Sequence, residues 1–325
     1  MTGLSDSFQR PIDYLRISVT DRCNLRCIYC MPSDGVHLMS HGDILSYEEI
    51  YTIAEAATRL GIKKVRITGG EPLVRVGLPK LVQMLAKIKA IDDISLTTNG
   101  ILLGHYAAEL KSAGLLRVNI SLDTLKPDRF KYITRGGNLD DVLNGIETAK
   151  SVGLNPTKIN VVVMPGINDD ELPDFASKTI EEDWHVRFIE HMPFSEDTSA
   201  SPLVSVNEIR QRLSVLGKLE PCSFKGNGPA KYFRLPQAKG TIGFITPVSE
   251  HFCFQCNRLR LTADGKLRPC LLSEEEIDLR QPLRSGMSSA KLKRLIKKAV
   301  ASKPLRHRLA EGRVPKDRSF SQVGG

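Results

Sequence analysis

A chain of 325 residues with 41% hydrophobic content is long enough to bury a full core and still carry an appendage. No apolar run reaches the roughly 20 residues of a membrane span, and the opening MTGLSDSFQR lacks the apolar stretch of a secretory signal, so a cytoplasmic location without membrane contact is expected. The net charge of +9 is local: residues 291–318 hold 11 Lys and Arg against Glu311 and Asp317, leaving 35 basic and 35 acidic residues elsewhere, which argues against a broad nucleic-acid-binding face.

In chain order, β-branched runs alternate with helical patterns. Strands are predicted at 14–20 (YLRISVT), 63–68 (KKVRIT), around 95–98, and at 117–123, 158–164 and 185–191. Between the first two, SYEEIYTIAEAATRLG reads as a helix, with Ser46 and Glu49 as a capping box and Gly61 as its stop. Six strand–helix units imply an α/β fold with a parallel sheet and chemistry at the C-terminal strand ends. Six are too few for a closed eight-stranded barrel. An open partial barrel of the (β/α)6 type is preferred and a doubly wound sheet is the alternative, which periodicity does not separate.

After Pro193 the pattern changes: a helix near 205–216, short strands at YFRL and TIGFIT, a hairpin turning at Asp264-Gly265, and a basic helix from about Ala290. The expected division is a core of residues 1–200 and a C-terminal extension of 201–325. The basic segment reads as a solvated helix, with docking of an acidic electron donor or screening of a polyphosphate as the sharper reading.

Six of the seven cysteines fall into two triads, and Cys222 stands alone without an assigned function. In a reducing compartment such triads are ligands or catalysts rather than disulfides. Cys23, Cys27 and Cys30 have the spacing C-x3-C-x2-C just after the first strand. Three thiolates on a 4Fe-4S cluster leave one iron open to chelate a methionine moiety. A zinc site would be expected to show paired C-x2-C arms and a fourth ligand. Cys253, Cys256 and Cys270, spaced C-x2-C-x13-C, with His251 close by, fit either a zinc site or a second cluster. Arg258 and Arg260 lie two apart on a predicted strand, so both side chains leave one face and can converge on a phosphate-rich ligand.

The CNLRCIYC stretch, with Tyr29 before its last cysteine, resembles the radical S-adenosylmethionine (SAM) superfamily, whose fold is the partial (β/α)6 barrel. GGEP at Gly69–Pro72 resembles the superfamily's segment for the methionyl amino group. With RPIDYLRISVTDRCNLRCIYCMP, RFIEHMPF, FCFQCNRLRLTADGKLRPCL and the terminal Gly-Gly, the chain from about Arg10 to Gly325 resembles the GTP 3',8-cyclases of molybdenum cofactor biosynthesis. That resemblance implies two 4Fe-4S clusters, on Cys23, Cys27 and Cys30 and on Cys253, Cys256 and Cys270. It places SAM beside Tyr29, Gly70, Ser121 and Met192, and GTP beside Arg16, Arg66, Thr97, Lys158, Arg258, Leu259 and Arg260. It also implies a tail, Gly324-Gly325, reaching into the active site.

The implied reaction is reductive cleavage of SAM, abstraction of the ribose H3' of GTP, attack of C3' on C8, and completion of 3',8-cyclo-7,8-dihydro-GTP by one further electron and a proton. The implied partners are a low-potential electron donor and the next enzyme of the pathway; monomer and homodimer both stay open. Two alternatives remain: a peptide-modifying radical enzyme with an auxiliary cluster, and a zinc or iron-sulfur protein binding nucleic acid. The low aromatic content, 6%, argues against the second.

Overall fold

The computed structural model describes residues 3–192, 203–224, 228–311 and 318–324. The expected boundary at 200/201 and the Pro193-Phe194 and Gly325 parts of the sequence motifs lie outside them. No helix among the described residues is long and apolar enough to cross a membrane.

Six parallel strands follow one another in order: β1 (Tyr14–Ser18), β2 (Lys64–Thr68), β3 (Asp93–Thr98), β4 (Arg117–Ser121), β5 (Lys158–Val163) and β6 (His185–Glu190). Helices α1 (Tyr47–Thr58), α2 (Leu78–Ala86), α3 (Leu103–Ser112), α4 (Pro127–Thr134), α5 (Leu139–Ser151) and α6 (Leu172–Glu181) connect them. The Ser46/Glu49 capping box is formed, with Glu49 N donating to Ser46 Oγ at 3.1 Å and Ser46 N to Glu49 Oε2 at 2.7 Å.

The C-terminal region is not a separate layer. After α7 (Val206–Leu213) come β7 (Glu220–Pro221), β8 (Lys231–Arg234) and β9 (Thr241–Ile245), and β9 pairs parallel with β6. At the other edge β10 (Arg258–Leu261) pairs parallel with β1, and continues antiparallel to β11 (Lys266–Arg268) and β12 (Ile277–Asp278). The turn between β10 and β11 holds Asp264 and Gly265, where the sequence puts it. All twelve strands form one sheet. It stays open because β9 and β10 extend outward to β8 and β11 rather than to each other. Helices α8 (Arg280–Arg284) and α9 (Ser289–Ala301) complete the extension.

Side chains alternate across this sheet. The outward set, including Leu15, Ile17, Val65, Ile67, Leu96, Ile120, Val161 and Phe188, packs under the helices as one hydrophobic core. The inward set is polar: Arg16, Arg66, Ser95, Arg117, Asn119, Lys158, Arg187 and Arg260 are all buried. Residues of β1 to β6, β9 and β10 line a single cavity, so the sheet curves around it as a partial barrel. A flat, doubly wound sheet would present these residues to two separate helix layers instead.

Candidate functional site

The first triad sits on the loop after β1, and main-chain bonds fix that loop on two sides. Arg26 N and Ile28 N donate to Thr134 O and Ile133 O at 3.0 and 2.9 Å, at the end of α4. Gly70 N and Glu71 N donate to Thr20 O and Arg22 O at 2.7 and 2.8 Å. A Cβ on Gly70 would collide with Arg22 O, which is why this close approach needs glycine. Glu71 is fully buried; burial raises its pKa to about 7, against hydrogen bonds from Asn99 N, Leu73 N and Thr98.

Burial also pushes the thiols up, Cys23 to about 11 and Cys30 to about 12. A bound iron-sulfur group would supply the positive charge that makes thiolates of them. Among the described residues no three His, Cys, Asp or Glu side chains converge on a point for a single ion. Thiolates on a cubane each bind a different iron, so three cysteines on one loop are a ligand set such a cluster can take. Tyr29 donates from its hydroxyl to Asp123 Oδ2 at 2.8 Å, and Val162 N donates to Asp123 Oδ1 at 2.8 Å.

The second triad closes the opposite side. Cys253 and Cys256 flank a turn of 3-10 helix, Cys253–Gln255, leading into β10, and Cys270 follows β11. Two buried cations hold these segments. Arg10 donates to Cys253 O at 2.6 Å, and Lys303 to Arg258 O and Pro269 O at 2.8 and 2.6 Å. Burial pushes the Cys256 thiol up, yet Arg258 and Lys303 outweigh it and leave its pKa lowered to about 6. His251 stacks edge-on to His307 with ring centroids 5.8 Å apart, and His307 Nε2 lies 2.7 Å from Pro247 O.

A cavity of about 220 Å³ runs from Tyr29 of the first-triad loop to the second triad. Its wall includes Tyr29, Ser121 and Met192, then Arg16, Arg66 and Thr97, then Arg258, Arg260 and all three second-triad cysteines. Thr97 Oγ1, Tyr14 Oη and Asn160 Oδ1 are buried there without a hydrogen-bond partner, as polar atoms awaiting a ligand would be. Gly324 enters this region too. Its carbonyl accepts from Arg260 Nη1 at 2.5 Å, and a Cβ on it would lie 2.7 Å from Thr68.

Six expected residues lie off the cavity wall: Cys23, Cys27 and Cys30, whose loop reaches it only through Tyr29, and Gly70, Leu259 and Lys158. Gly70 supports the triad loop rather than the cavity wall. Leu259 turns its side chain into the outer core, leaving only its backbone on the inner side. Lys158 lies within the barrel but off the cavity wall, its Nζ 4.6 Å from the Phe224 ring centroid and 5.8 Å from that of Tyr232. Residues not singled out by sequence also converge here: Arg187, bonded to Asn119 Oδ1 at 2.6 Å, Asn160, Asp123 and Lys303. The two-residue alternation applied to Arg258 and Arg260 also runs through Arg187 and Ile189, and would have found Arg187.

Comparison with known proteins completes the picture. Residues 17–178 match the model of the radical SAM superfamily, and residues 184–309 that of Molybdenum Cofactor Synthesis C. The chain is 53% identical to the GTP 3',8-cyclase of Pelotomaculum thermopropionicum over 326 residues, 99% of this chain and 100% of that protein. It is 54% identical to the GTP 3',8-cyclase of Moorella thermoacetica, again over 99% and 100% of the two chains. Among solved structures, Streptococcus suis SuiB bound to S-adenosylmethionine superposes with a TM-score of 0.61 at 15% identity, covering 83% of this chain and 64% of that one.

Proposed function

The chain belongs to the GTP 3',8-cyclase family of the radical SAM superfamily, an enzyme family of molybdenum cofactor biosynthesis, and from that premise we propose how its residues divide the work. The supporting observation is that one cavity is lined both by Tyr29, from within the first triad, and by Cys253, Cys256 and Cys270. Arginines 16, 66, 258 and 260 lie between them.

Cys23, Cys27 and Cys30 hold the 4Fe-4S cluster common to the superfamily, and the backbone at Gly70 sets the approach of SAM to it. When bound, that group supplies the electron that cleaves SAM, so that hydrogen abstraction from C3' of GTP begins. Tyr29, held by Asp123, together with Ser121 and Met192, forms the SAM side of the cavity. Arg16, Arg66 and the Arg258–Arg260 segment neutralise and orient the triphosphate, where forked guanidinium donors suit phosphate oxygens, and Lys158, set back from the wall, adds its charge from behind them. Thr97 offers its unpartnered hydroxyl to the same ligand.

Cys253, Cys256 and Cys270 would hold a second 4Fe-4S cluster, which with three protein thiolates would offer an iron to a guanine heteroatom. The catalytic contribution of the chain is positioning and exclusion of water. In this division residues 1–200 form the partial-barrel core that carries the SAM site and part of the GTP site, and residues 201–325 add the second triad and the Arg258–Arg260 segment. Gly324, bonded to Arg260, brings the C-terminal tail to the strand ends. The protein works with a low-potential electron donor and passes its product to the next enzyme of the pathway. The peptide-modifying alternative is not favoured, because the relatives matched over the full chain are GTP 3',8-cyclases.

The test is mass spectrometry of an anaerobic reaction of reconstituted protein, SAM and dithionite, with and without GTP. We expect GTP-dependent 5'-deoxyadenosine and a cyclised GTP product. Cys27→Ala abolishes both. Cys256→Ala retains deoxyadenosine while losing the cyclised product, and equal loss of both would rule out separate roles for the two triads.

A further inference from the structure

Eight large hydrophobic side chains are exposed among the described residues, and three of them lie on segments tied to one buried arginine. Phe8, Phe254 and Leu305 are 44%, 64% and 56% exposed, whereas Arg10 is 5% exposed. The guanidinium of Arg10 lies 5.2 Å from the Phe8 ring centroid and donates to Cys253 O at 2.6 Å and Leu305 O at 2.9 Å. Phe254 is the next residue after Cys253. The patch is therefore the outer surface of the loop whose Cys253 and Cys256 line the cavity on its inner side.

Its rim is basic. The side chains of Arg306 and Arg308 are 62% and 59% exposed, and both lie at the edge of contact with Glu311, at 3.9 and 4.0 Å. Ser7 Oγ donates to Ala301 O at 2.9 Å, fastening the Phe8 segment to the end of α9, whose last turns expose Lys297 and Lys298. Single exposed hydrophobics are ordinary, but three on segments held by one arginine, beside a charged rim, mark an interaction face.

We propose that this face docks an acidic, low-potential one-electron carrier protein, which reduces the second cluster from outside the cavity. The proposal rests on reading Cys253, Cys256 and Cys270 as a cluster site. The exchange is balanced: the carrier loses one electron, the cluster gains one, and no bond or proton moves between the proteins. The occupant follows from charge and from need. A basic rim attracts an acidic surface and raises the encounter rate, and the cyclisation consumes an electron that the cavity's own side chains do not supply. A small apolar centre suits a transient redox encounter, which buries less than about 1,200 Å².

The test supplies electrons from a reduced, acidic [2Fe-2S] ferredoxin or from dithionite, to wild type, to Leu305→Ser and to the double variant Arg306→Glu/Arg308→Glu. Reduction of the second cluster is followed by rapid-freeze EPR, and turnover by product formation. The double variant is expected to raise the ferredoxin KM about tenfold and to flatten its salt dependence, with dithionite-driven turnover unchanged. Leu305→Ser should raise the same KM without changing the salt dependence. Unaltered ferredoxin kinetics in both variants would overturn the proposal, as would a wild-type protein active with dithionite but not reduced by ferredoxin. Absence of cyclised product with dithionite would instead refute the cyclase reading, and the EPR rates would still report on docking.

Discussion

Lys158 occupies an environment that ordinarily excludes charge. It is 1% exposed, and burial, followed by Arg187, Arg117 and Arg66, lowers its pKa to about 6. An unfolded chain holds that proton up to the ordinary lysine range near 10.5. Between these values the unfolded state binds more protons, so the contribution of Lys158 makes stability rise with pH across that window. A bound triphosphate reverses the local balance and favours the ammonium form. GTP binding is thus expected to take up a proton and to weaken as pH rises above about 6, where the free enzyme holds Lys158 neutral. Lys158→Met should remove both dependences, read by thermal melts across pH and by titration calorimetry in buffers of different ionisation enthalpy. Lys158 was legible in sequence only through the family resemblance. Its aromatic neighbours Phe224 and Tyr232 were not, because strand periodicity gives a residue's face but not what a distant segment lays over it.

Helix α9 shows what an element does beyond its own hydrogen bonds. Leu292, Ile296, Ala299 and Val300 are buried at helical spacing, and Ser288 caps the start by accepting from Lys291 N at 3.4 Å. Two residues after its end, Lys303 ties β10 to the residue before Cys270 through two carbonyls. Lys303→Met would leave two carbonyls short of a donor, at a cost of about 1–3 kcal/mol for each one left buried and unsatisfied. The expected outcome is a lower denaturation midpoint and an iron content falling towards half, with the EPR signal of the first cluster retained. The helix was readable from its charge and periodicity, and α1 from its capping box. The two-residue strands β7 and β12 were not, since two residues carry no period.

At the scale of the molecule, the C-terminal region grips both sides of the core sheet, through β9 on β6 and β10 on β1. The six-strand order was legible from successive strand–helix units, and the hairpin from Asp264-Gly265. The continuation of one sheet across both edges was not, because the pairing of Tyr14 with Arg258 joins residues at opposite ends of the chain. A chain ending at residue 192 would leave two parallel edges bare, and we expect it to elute as aggregates in gel filtration, where the full chain elutes as a discrete species. The same pairing sets a schedule on the ribosome. At 5–20 residues per second, β1 emerges roughly 12–50 seconds before β10 has been made. Through that interval β1 is paired with β2 alone and its other edge stands bare, which makes the moment of synthesis, rather than the finished fold, the stage at which that edge can meet a second chain.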